Sequence, residues 1–153
     1  MKIVEVSDPE LRSSVCELVL RSLPLWFGIE SAIVNYTRDV KAMETWVSYE
    51  NDVPIGFVSI NKHFSQSAEI HVMGIRQEFH RKGIGHQLVT AVENDLRVQN
   101  FKFLTVKTLS EARPNKEYDL TRKFYLKMGF TPLEEFKTLW DESNPCLYLV
   151  KAL

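Results

Sequence analysis

The sequence is poor in cysteine, and this scarcity excludes two classes of protein. Cys16 and Cys146 are the two cysteines among 153 residues, and neither lies in a CxxC or CxxxH pattern. A disulfide framework needs more cysteines, and no zinc-binding spacing is present. We therefore expect both to be buried small apolar residues, and we expect no metal site.

The sequence also lacks a long apolar run and an excess of charge of either sign. Charged residues interrupt positions 1–6, so this segment does not read as a signal peptide, and no stretch approaches the ~20 apolar residues of a membrane span. Nineteen basic and twenty acidic residues leave a net charge of −1. Such a balance attracts neither nucleic acid nor an anionic membrane. We expect a cytoplasmic protein with no nucleic-acid partner and no membrane partner.

Hydrophobic periodicity and turn residues predict eleven elements in the order βααβββαβαββ. Strands are expected at residues 2–6, 45–50, 55–62, 68–75, 101–108, 130–139 and 145–152. Helices are expected at residues 9–23, 29–43, 83–98 and 118–128. No internal repeat or linker interrupts the chain, so we expect one α/β domain over residues 1–153, with a mixed sheet and helices on its faces.

The most informative segment is a glycine-containing loop, residues 77–86 (QEFHRKGIGH), between a strand and a helix. The first N–H groups of a helix have no intrahelical partner and lie at the positive end of its dipole. Glycines let a phosphate approach the backbone, and His80, Arg81 and Lys82 form a basic cluster. The loop therefore predicts a phosphate or pyrophosphate site; a solvated basic turn is the alternative.

Two common nucleotide-binding loops are excluded. The pattern GxxxxGK[ST] is absent. A dinucleotide-binding fingerprint needs a third glycine where this chain has Leu88, and the strand at 101–108 lacks the acidic residue that would bind a ribose.

Two segments resemble the motifs of GNAT-type N-acetyltransferases. Residues 80–85 (HRKGIG), which follow a strand, resemble the acetyl-CoA motif [Q/R]-x-x-G-x-[G/A], except that His80 is at its head. Residues 121–130 (TRKFYLKMGF) resemble the later motif, an FY pair followed by GF, although Tyr118 stands where the family often has Asn. The interval and the element order also agree. The resemblance covers essentially the whole chain and implies a GNAT-like, mostly antiparallel sheet of about seven strands flanked by four helices.

The resemblance implies an acetyl-CoA-dependent N-acetyltransferase. Direct attack of a primary amine in a ternary complex would transfer the acetyl group, with no covalent enzyme intermediate and no metal. The acceptor would be a small-molecule or peptide amine that the sequence does not name, and homodimers are common in the family. The implied cofactor-binding residues are Met73, Gly74, Ile75, His80, Arg81, Lys82, Gly83, Ile84, Gly85 and His86.

Acetyl transfer needs a neutral amine, a polarised carbonyl and a protonated leaving thiolate. The resemblance implies Tyr125 as the acid that protonates the thiolate. Glu69 is the implied base, because some members carry a glutamate six positions before the residue that matches Ile75. Strand periodicity places Glu69, His71 and Met73 on one face, and His71 is the alternative base. Many members use no dedicated strong base, so a bystander role for both residues is a further alternative.

The helix at 118–128 leaves alternatives open. Its apolar stripe is predicted to contain Leu120, Phe124 and Met128. Tyr125 lies one step off this stripe, and without the resemblance it would be interpreted as a core aromatic residue. Arg122 and Lys123 either contact CoA phosphates or are solvated helix charges.

Other functions also remain open from the sequence. A non-catalytic acyl-CoA-binding sensor would keep the glycine loop, as would an enzyme that uses a longer acyl donor. A phosphate-dependent binding protein unrelated to CoA is a third alternative. Trp26 and Phe27 either pack as loop residues on the core or line a substrate cleft.

Overall fold

The computed structural model describes residues 1–153, in which seven strands and four helices form one mixed α/β unit. The strands are β1 (Lys2–Val6), β2 (Glu44–Glu50), β3 (Val53–Phe64), β4 (Ser67–Ile75), β5 (Phe103–Leu109), β6 (Thr131–Asp141) and β7 (Asn144–Ala152). The helices are α1 (Pro9–Arg21), α2 (Glu30–Asp39), α3 (Ile84–Val98) and α4 (Lys116–Lys127). The sheet order is β1-β2-β3-β4-β5-β7-β6. The predicted element order and fold class are confirmed.

The sheet opens between its two parallel strands. β4 and β5 run parallel, joined by the crossover through α3, while the other neighbouring strands are antiparallel. The β4–β5 ladder extends from the pair Ser67 and Phe103 to the pair Ile70 and Val106. Residues 71–75 of β4 and 107–109 of β5 are not paired with each other. The pairing of the two strands therefore ends at Ile70 and Val106, and we call the gap between their unpaired edges the cleft.

A helix layer covers each face of the sheet. Buried side chains of α3 and α4 belong to one apolar cluster, and those of α1 and α2 belong to another. In α3 the apolar positions recur at helical spacing, and Leu88, Val92 and Leu96 are fully buried. Burial of each such side chain stabilises the fold by roughly 1.5–3 kcal/mol. The cleft consequently lies within a sheet that is covered by packed helices on both faces.

β4 contains a bulge that reverses the faces of its side chains. Ser59 of β3 pairs with Val72, whereas the adjacent Ile60 pairs with Ile70, so His71 is an extra residue. Ile70 belongs to the core beneath α3 and α4, but Val72 belongs to the core beneath α1 and α2. Regular alternation would place these two residues on the same face.

The bulge corrects the prediction that Glu69, His71 and Met73 share a face. Met73 packs on the α3 and α4 side. His71 contacts Tyr36 of α2, on the opposite side of the sheet, and Glu69 also lies on that side because it precedes the inward-facing Ile70. Glu69 and His71 therefore remain together, and Met73 is separated from them.

Several element ends differ from the prediction. α2 ends at Asp39, and the short 3-10 turn Val40–Ala42 follows it. α4 begins two residues earlier than expected because Asn115 caps it, accepting a hydrogen bond from the Tyr118 N–H at 3.0 Å. β5 begins at Phe103 rather than at 101. No helix is long and apolar enough to cross a bilayer.

Candidate active site

The glycine loop at the mouth of the cleft presents consecutive unpaired backbone N–H groups. From Arg81 to His86 no backbone N–H donates to a backbone acceptor, and the Gln87 N–H is the first to do so, bonding the Gly83 carbonyl at 3.1 Å. These groups lie at the positive end of α3, a helix of 15 residues. Such an end binds anions.

Glycine is needed at the two positions of the loop for different structural reasons. Gly83 is the N-cap of α3 with φ +78°, and a Cβ there would meet no atom within 4 Å, so the space in front of it is open. A Cβ on Gly85 would lie 3.1 Å from Cε1 of Phe124. Gly85 therefore permits close packing of α3 on α4, whereas Gly83 supplies the left-handed turn.

The basic residues of the loop divide into two groups. The Nε2–H of His80 donates to the Ile75 carbonyl at 2.6 Å, and its ring meets Trp26 edge to face at 5.4 Å. His80 thus fastens the loop to the end of β4. Arg81 and Lys82 are exposed and lie beside the row of N–H groups, where their charge favours an anion.

Residues Met73, Gly74 and Ile75 form the β4 wall of the cleft. Their strand is paired with β3 on one edge and is free of β5 on the other. A Cβ on Gly74 would lie 3.1 Å from Cγ1 of Val19, so glycine allows α1 to approach β4 closely. The free strand edge offers backbone donors and acceptors to an extended ligand.

Glu69 lies one residue before the end of the β4–β5 ladder, and it is 6% exposed. One carboxylate oxygen is 2.7 Å from Nε2 of His63, and the other accepts a hydrogen bond from Nζ of Lys107 at 2.8 Å. Lys107 also lies over the Tyr148 ring. Lys107 and Glu69 therefore form a salt bridge between β5 and β4.

His71 is the first residue of β4 beyond the ladder. Its Nε2 lies 3.1 Å from a carboxylate oxygen of Asp39, and its ring meets Tyr36 edge to face at 5.5 Å. Burial, with the nearby Asp39 charge, raises the pKa of Tyr36. The two candidate bases thus contact different residues: His71 contacts Asp39, whereas Glu69 contacts His63 and Lys107.

Tyr125 is in the buried face of α4, not one step away from it. The predicted stripe is wrong at Leu120, which is 47% exposed, whereas Tyr125 is 5% exposed. Its ring packs edge to face on Phe124 and Phe130. Its hydroxyl has no hydrogen-bond partner in the protein, and it is not fully enclosed. Burial raises the pKa of Tyr125 far above its ordinary value.

Arg122 has a structural role that neither sequence interpretation foresaw. It is 7% exposed, donates to the Leu109 carbonyl at 2.5 Å and pairs with Asp119. It thus ties α4 to the end of β5.

Trp26 joins the α1–α2 connection to α4, across the mouth of the cleft. Its Nε1–H donates to Thr121 at 3.2 Å and to the Glu117 carbonyl at 3.3 Å. The Tyr118 hydroxyl donates in return to the Trp26 carbonyl at 2.7 Å, and burial raises the pKa of Tyr118 to about 12. Trp26 is therefore a loop residue packed beside the cleft.

Sequence reasoning missed Asp39, His63 and Lys107 as members of this site. All three contact a residue of another element, at separations of 6 positions for His63, 32 for Asp39 and 38 for Lys107. No motif marks them, because their proximity depends on strand pairing and helix docking.

Comparison with known proteins agrees with this geometry. Residues 41–132 match the model of the acetyltransferase (GNAT) domain. No curated protein matches the chain. Among solved structures, one named as a GNAT-family acetyltransferase from Desulfovibrio desulfuricans has a TM-score of 0.84 at 13% identity, with 99% of this chain and 98% of that chain covered.

Two further structures were solved with ligands or named for their substrates. An aminoglycoside 6'-N-acetyltransferase complexed with coenzyme A has a TM-score of 0.77 at 15% identity, covering 99% of this chain and 97% of that chain. A GNAT family acetyltransferase from Elizabethkingia anophelis with acetyl-CoA bound has a TM-score of 0.67 at 20% identity, covering 86% and 88%. At these identities the likeness shows the fold. Because the family model also matches more than half of the chain, this protein belongs to the GNAT acetyltransferase family.

Proposed function

We propose that the protein is an acetyl-CoA-dependent N-acetyltransferase that acts on a primary amine by direct attack in a ternary complex. The observation that carries the proposal is the row of unpaired N–H groups, Arg81 to His86, at the mouth of a cleft between parallel strands. The related structures with coenzyme A or acetyl-CoA support the same donor. We propose that residues 1–153 act as a single domain.

The chain offers two binding surfaces that fit the two ends of this donor. The N–H groups of the glycine loop, with Arg81 and Lys82, would hold the pyrophosphate. The free edge of β4 at residues 73–75 would hydrogen-bond the pantetheine arm and the acetyl group. Both surfaces line the same cleft, so one extended molecule can contact both of them.

Proton transfers accompany the exchange of the acetyl group. Glu69 would accept a proton of the incoming ammonium directly or organise a water for that step. The neutral nitrogen then bonds to the acetyl carbon while the carbon–sulfur bond breaks. Tyr125 would donate its hydroxyl proton to the departing sulfur, and the second proton of the nitrogen would restore that hydroxyl through solvent. The Tyr125 hydroxyl keeps its proton at neutral pH, as an ordinary tyrosine does, so that proton is available to the sulfur.

The acceptor is proposed to be a small-molecule or peptide amine. One solved structure of the same fold is an aminoglycoside 6'-N-acetyltransferase from Enterococcus faecium, with a TM-score of 0.73 and 18% identity. That substrate supports an amine as the acceptor class. A cytoplasmic location and a homodimer stay predictions.

The first test is thermal unfolding with and without acetyl-CoA. At 100 times Kd, binding adds about 2.7 kcal/mol to the free energy of unfolding. With about 2–4 °C for each kcal/mol, the melting temperature should rise by roughly 5–10 °C. CoA should reproduce the rise, and pantetheine or ADP alone should not. No rise at millimolar acetyl-CoA contradicts the proposal.

The second test separates an enzyme from a non-catalytic acyl-CoA-binding sensor. Tyr125→Phe should lower thiol release by about 10²–10⁴-fold, the range for general acid catalysis, and should leave the acetyl-CoA-dependent rise intact. Tyr49→Phe, on β2 away from the cleft, is the control and should keep full turnover. Binding without any amine-dependent thiol release in the wild type would favour the sensor.

A further inference from the structure

His71 and Asp39 form a carboxylate–imidazole pair at the vertex of the cleft. We infer that His71, positioned by Asp39, takes the proton from the acceptor amine, and that Glu69 has the water-organising role of the two given above. This inference rests on the proposed function.

The β4 bulge places His71 at the point where the cleft begins. The last β4–β5 pair is Ile70 with Val106, and His71 follows directly. As the extra residue of the bulge it has no partner in β3, so its side chain turns toward α2. The side chain is 24% exposed, so part of it remains in contact with solvent.

Asp39 and Tyr36 hold the ring of His71 from one turn of α2. The Nε2–H donates to the Asp39 carboxylate at 3.1 Å, and the Tyr36 ring restricts the imidazole plane. A proton on Nε2 leaves the lone pair on Nδ1. The Asp39 carboxylate therefore holds the ring with Nδ1 as its proton acceptor.

Glu69 is engaged differently. Both of its oxygens already contact nitrogen atoms, one of His63 and one of Lys107, at 2.7 and 2.8 Å. These two contacts hold the carboxylate in place, and a proton taken up from the amine would weaken its salt bridge with Lys107. A charged carboxylate with free lone pairs can still accept hydrogen bonds from the ammonium or from a water.

The step balances as follows in atoms and charge. The ammonium gives one proton to Nδ1 of His71, and the neutral nitrogen bonds to the acetyl carbon as the carbon–sulfur bond breaks. Tyr125 protonates the sulfur, and the second proton of the nitrogen returns to Tyr125 through solvent. His71 releases its proton to solvent, so one proton is released for each ammonium acetylated.

The test uses the full chain, with thiol release measured against spermidine, kanamycin, free lysine and a peptide with a free N terminus. For the best of these amines, His71→Ala should lower kcat by about 10²–10⁴-fold. The KM for acetyl-CoA and its melting-temperature rise should stay unchanged. Added imidazole should restore part of the lost kcat, and His71→Gln, which leaves no cavity, should not respond to imidazole.

Asp39 is tested as a positioning residue by a double-mutant cycle. Asp39→Asn should lower kcat by about 10–100-fold through loss of the correct tautomer, and the double variant with His71→Ala should be no slower than His71→Ala alone. Asp52→Asn, in an exposed turn, is the matched control. A folded His71→Ala variant with wild-type kcat overturns the inference, as does a loss that imidazole does not restore or that adds to the Asp39→Asn loss. If the wild type releases no thiol with any of these amines, the proposed function itself fails.

Discussion

Two nitrogen atoms hold the Glu69 carboxylate from opposite sides. His63 reaches it from β3, and Lys107 reaches it from β5, so the carboxylate lies between two strands that flank its own. The Glu69 side chain is 8% exposed. Removing the charged partner of a buried carboxylate lowers the free energy of unfolding. The surroundings of this one side chain therefore matter to the stability of the fold.

Replacing Lys107 tests how much its contact with Glu69 contributes to the free energy of unfolding. Lys107→Met should lower the free energy of unfolding by about 1–3 kcal/mol, because Glu69 loses a charged hydrogen-bond donor. Lys107→Arg keeps the charge and is the control. Denaturant unfolding measures the difference. Equal stability of the Met and Arg variants would show that the ammonium contributes little.

Both cysteines are free and buried, as predicted. Burial raises the pKa of the Cys16 thiol to about 12 and that of the Cys146 thiol to about 11. Between pH 9 and these values the unfolded chain loses thiol protons that the folded chain retains. Deprotonation then favours the unfolded state, so stability that is fully present below about pH 9 declines as the pH rises.

The expected result is a melting temperature that falls from pH 9 to pH 11. Cys16→Ala should make this fall shallower than in the wild type, since one thiol with a raised pKa is removed. The test compares how steeply the melting temperature of each protein falls with pH. The loss of stability caused by the cavity is present at every pH, so it does not affect this comparison. Parallel slopes for the two proteins would contradict the linkage.

At the scale of elements, the β4 bulge and the start of α3 determine what the cleft presents. The bulge turns His71 toward α2 and moves Met73 to the other face. The N-cap at Gly83 leaves the N–H groups of α3 directed at open space. Both features are local departures from regular structure, and both lie at the cleft.

The two glycines of the loop provide a matched pair of variants. Gly83→Ala should cost about 1–2 kcal/mol because its φ is +78°, and the new methyl enters the open space before the loop. It should therefore also reduce the melting-temperature rise with acetyl-CoA. Gly85→Ala, whose methyl would press on Phe124, should destabilise the protein while keeping most of that rise. An equal loss of the rise in both variants would contradict the separation of roles.

On the scale of the whole molecule, Lys151 links three elements around one buried carboxylate. Its Nζ lies 2.5 Å from Glu93 of α3 and donates at 2.6 Å to the Met128 carbonyl after α4, while the residue itself belongs to β7. Glu93 has 4% of its side chain exposed. The pair therefore joins the helix layer to the far half of the sheet.

Removing only the lysine of the Lys151–Glu93 pair should lower the free energy of unfolding more than replacing both residues with apolar ones. Lys151→Met leaves Glu93 buried without its cation and should cost about 3–5 kcal/mol. The double variant Lys151→Met with Glu93→Met removes both charges and should recover most of this stability. Denaturant unfolding of the three proteins tests the prediction. A double variant as unstable as Lys151→Met would show that packing, not the isolated charge, causes the loss.

Much of the fold could be predicted because its signals are local. The apolar spacing of α3 and the glycines of the loop are read from adjacent residues, and the structure places them as expected. The face of α4 could not be read in this way. Tyr125 and Arg122 are buried there although a tyrosine and an arginine carry polar groups, because Phe124, Phe130 and the Leu109 carbonyl surround them.

Residues close together in the chain specify the order of the elements, the glycine loop and its resemblance to an acetyltransferase motif, so all three could be predicted from the amino-acid sequence. Only the folded chain shows that β4 bulges at His71 and that Asp39 contacts that residue. It also shows that Lys107 approaches Glu69 across 38 positions of sequence. Such contacts arise from strand register and helix docking, which depend on the packing of the entire core rather than on any local pattern.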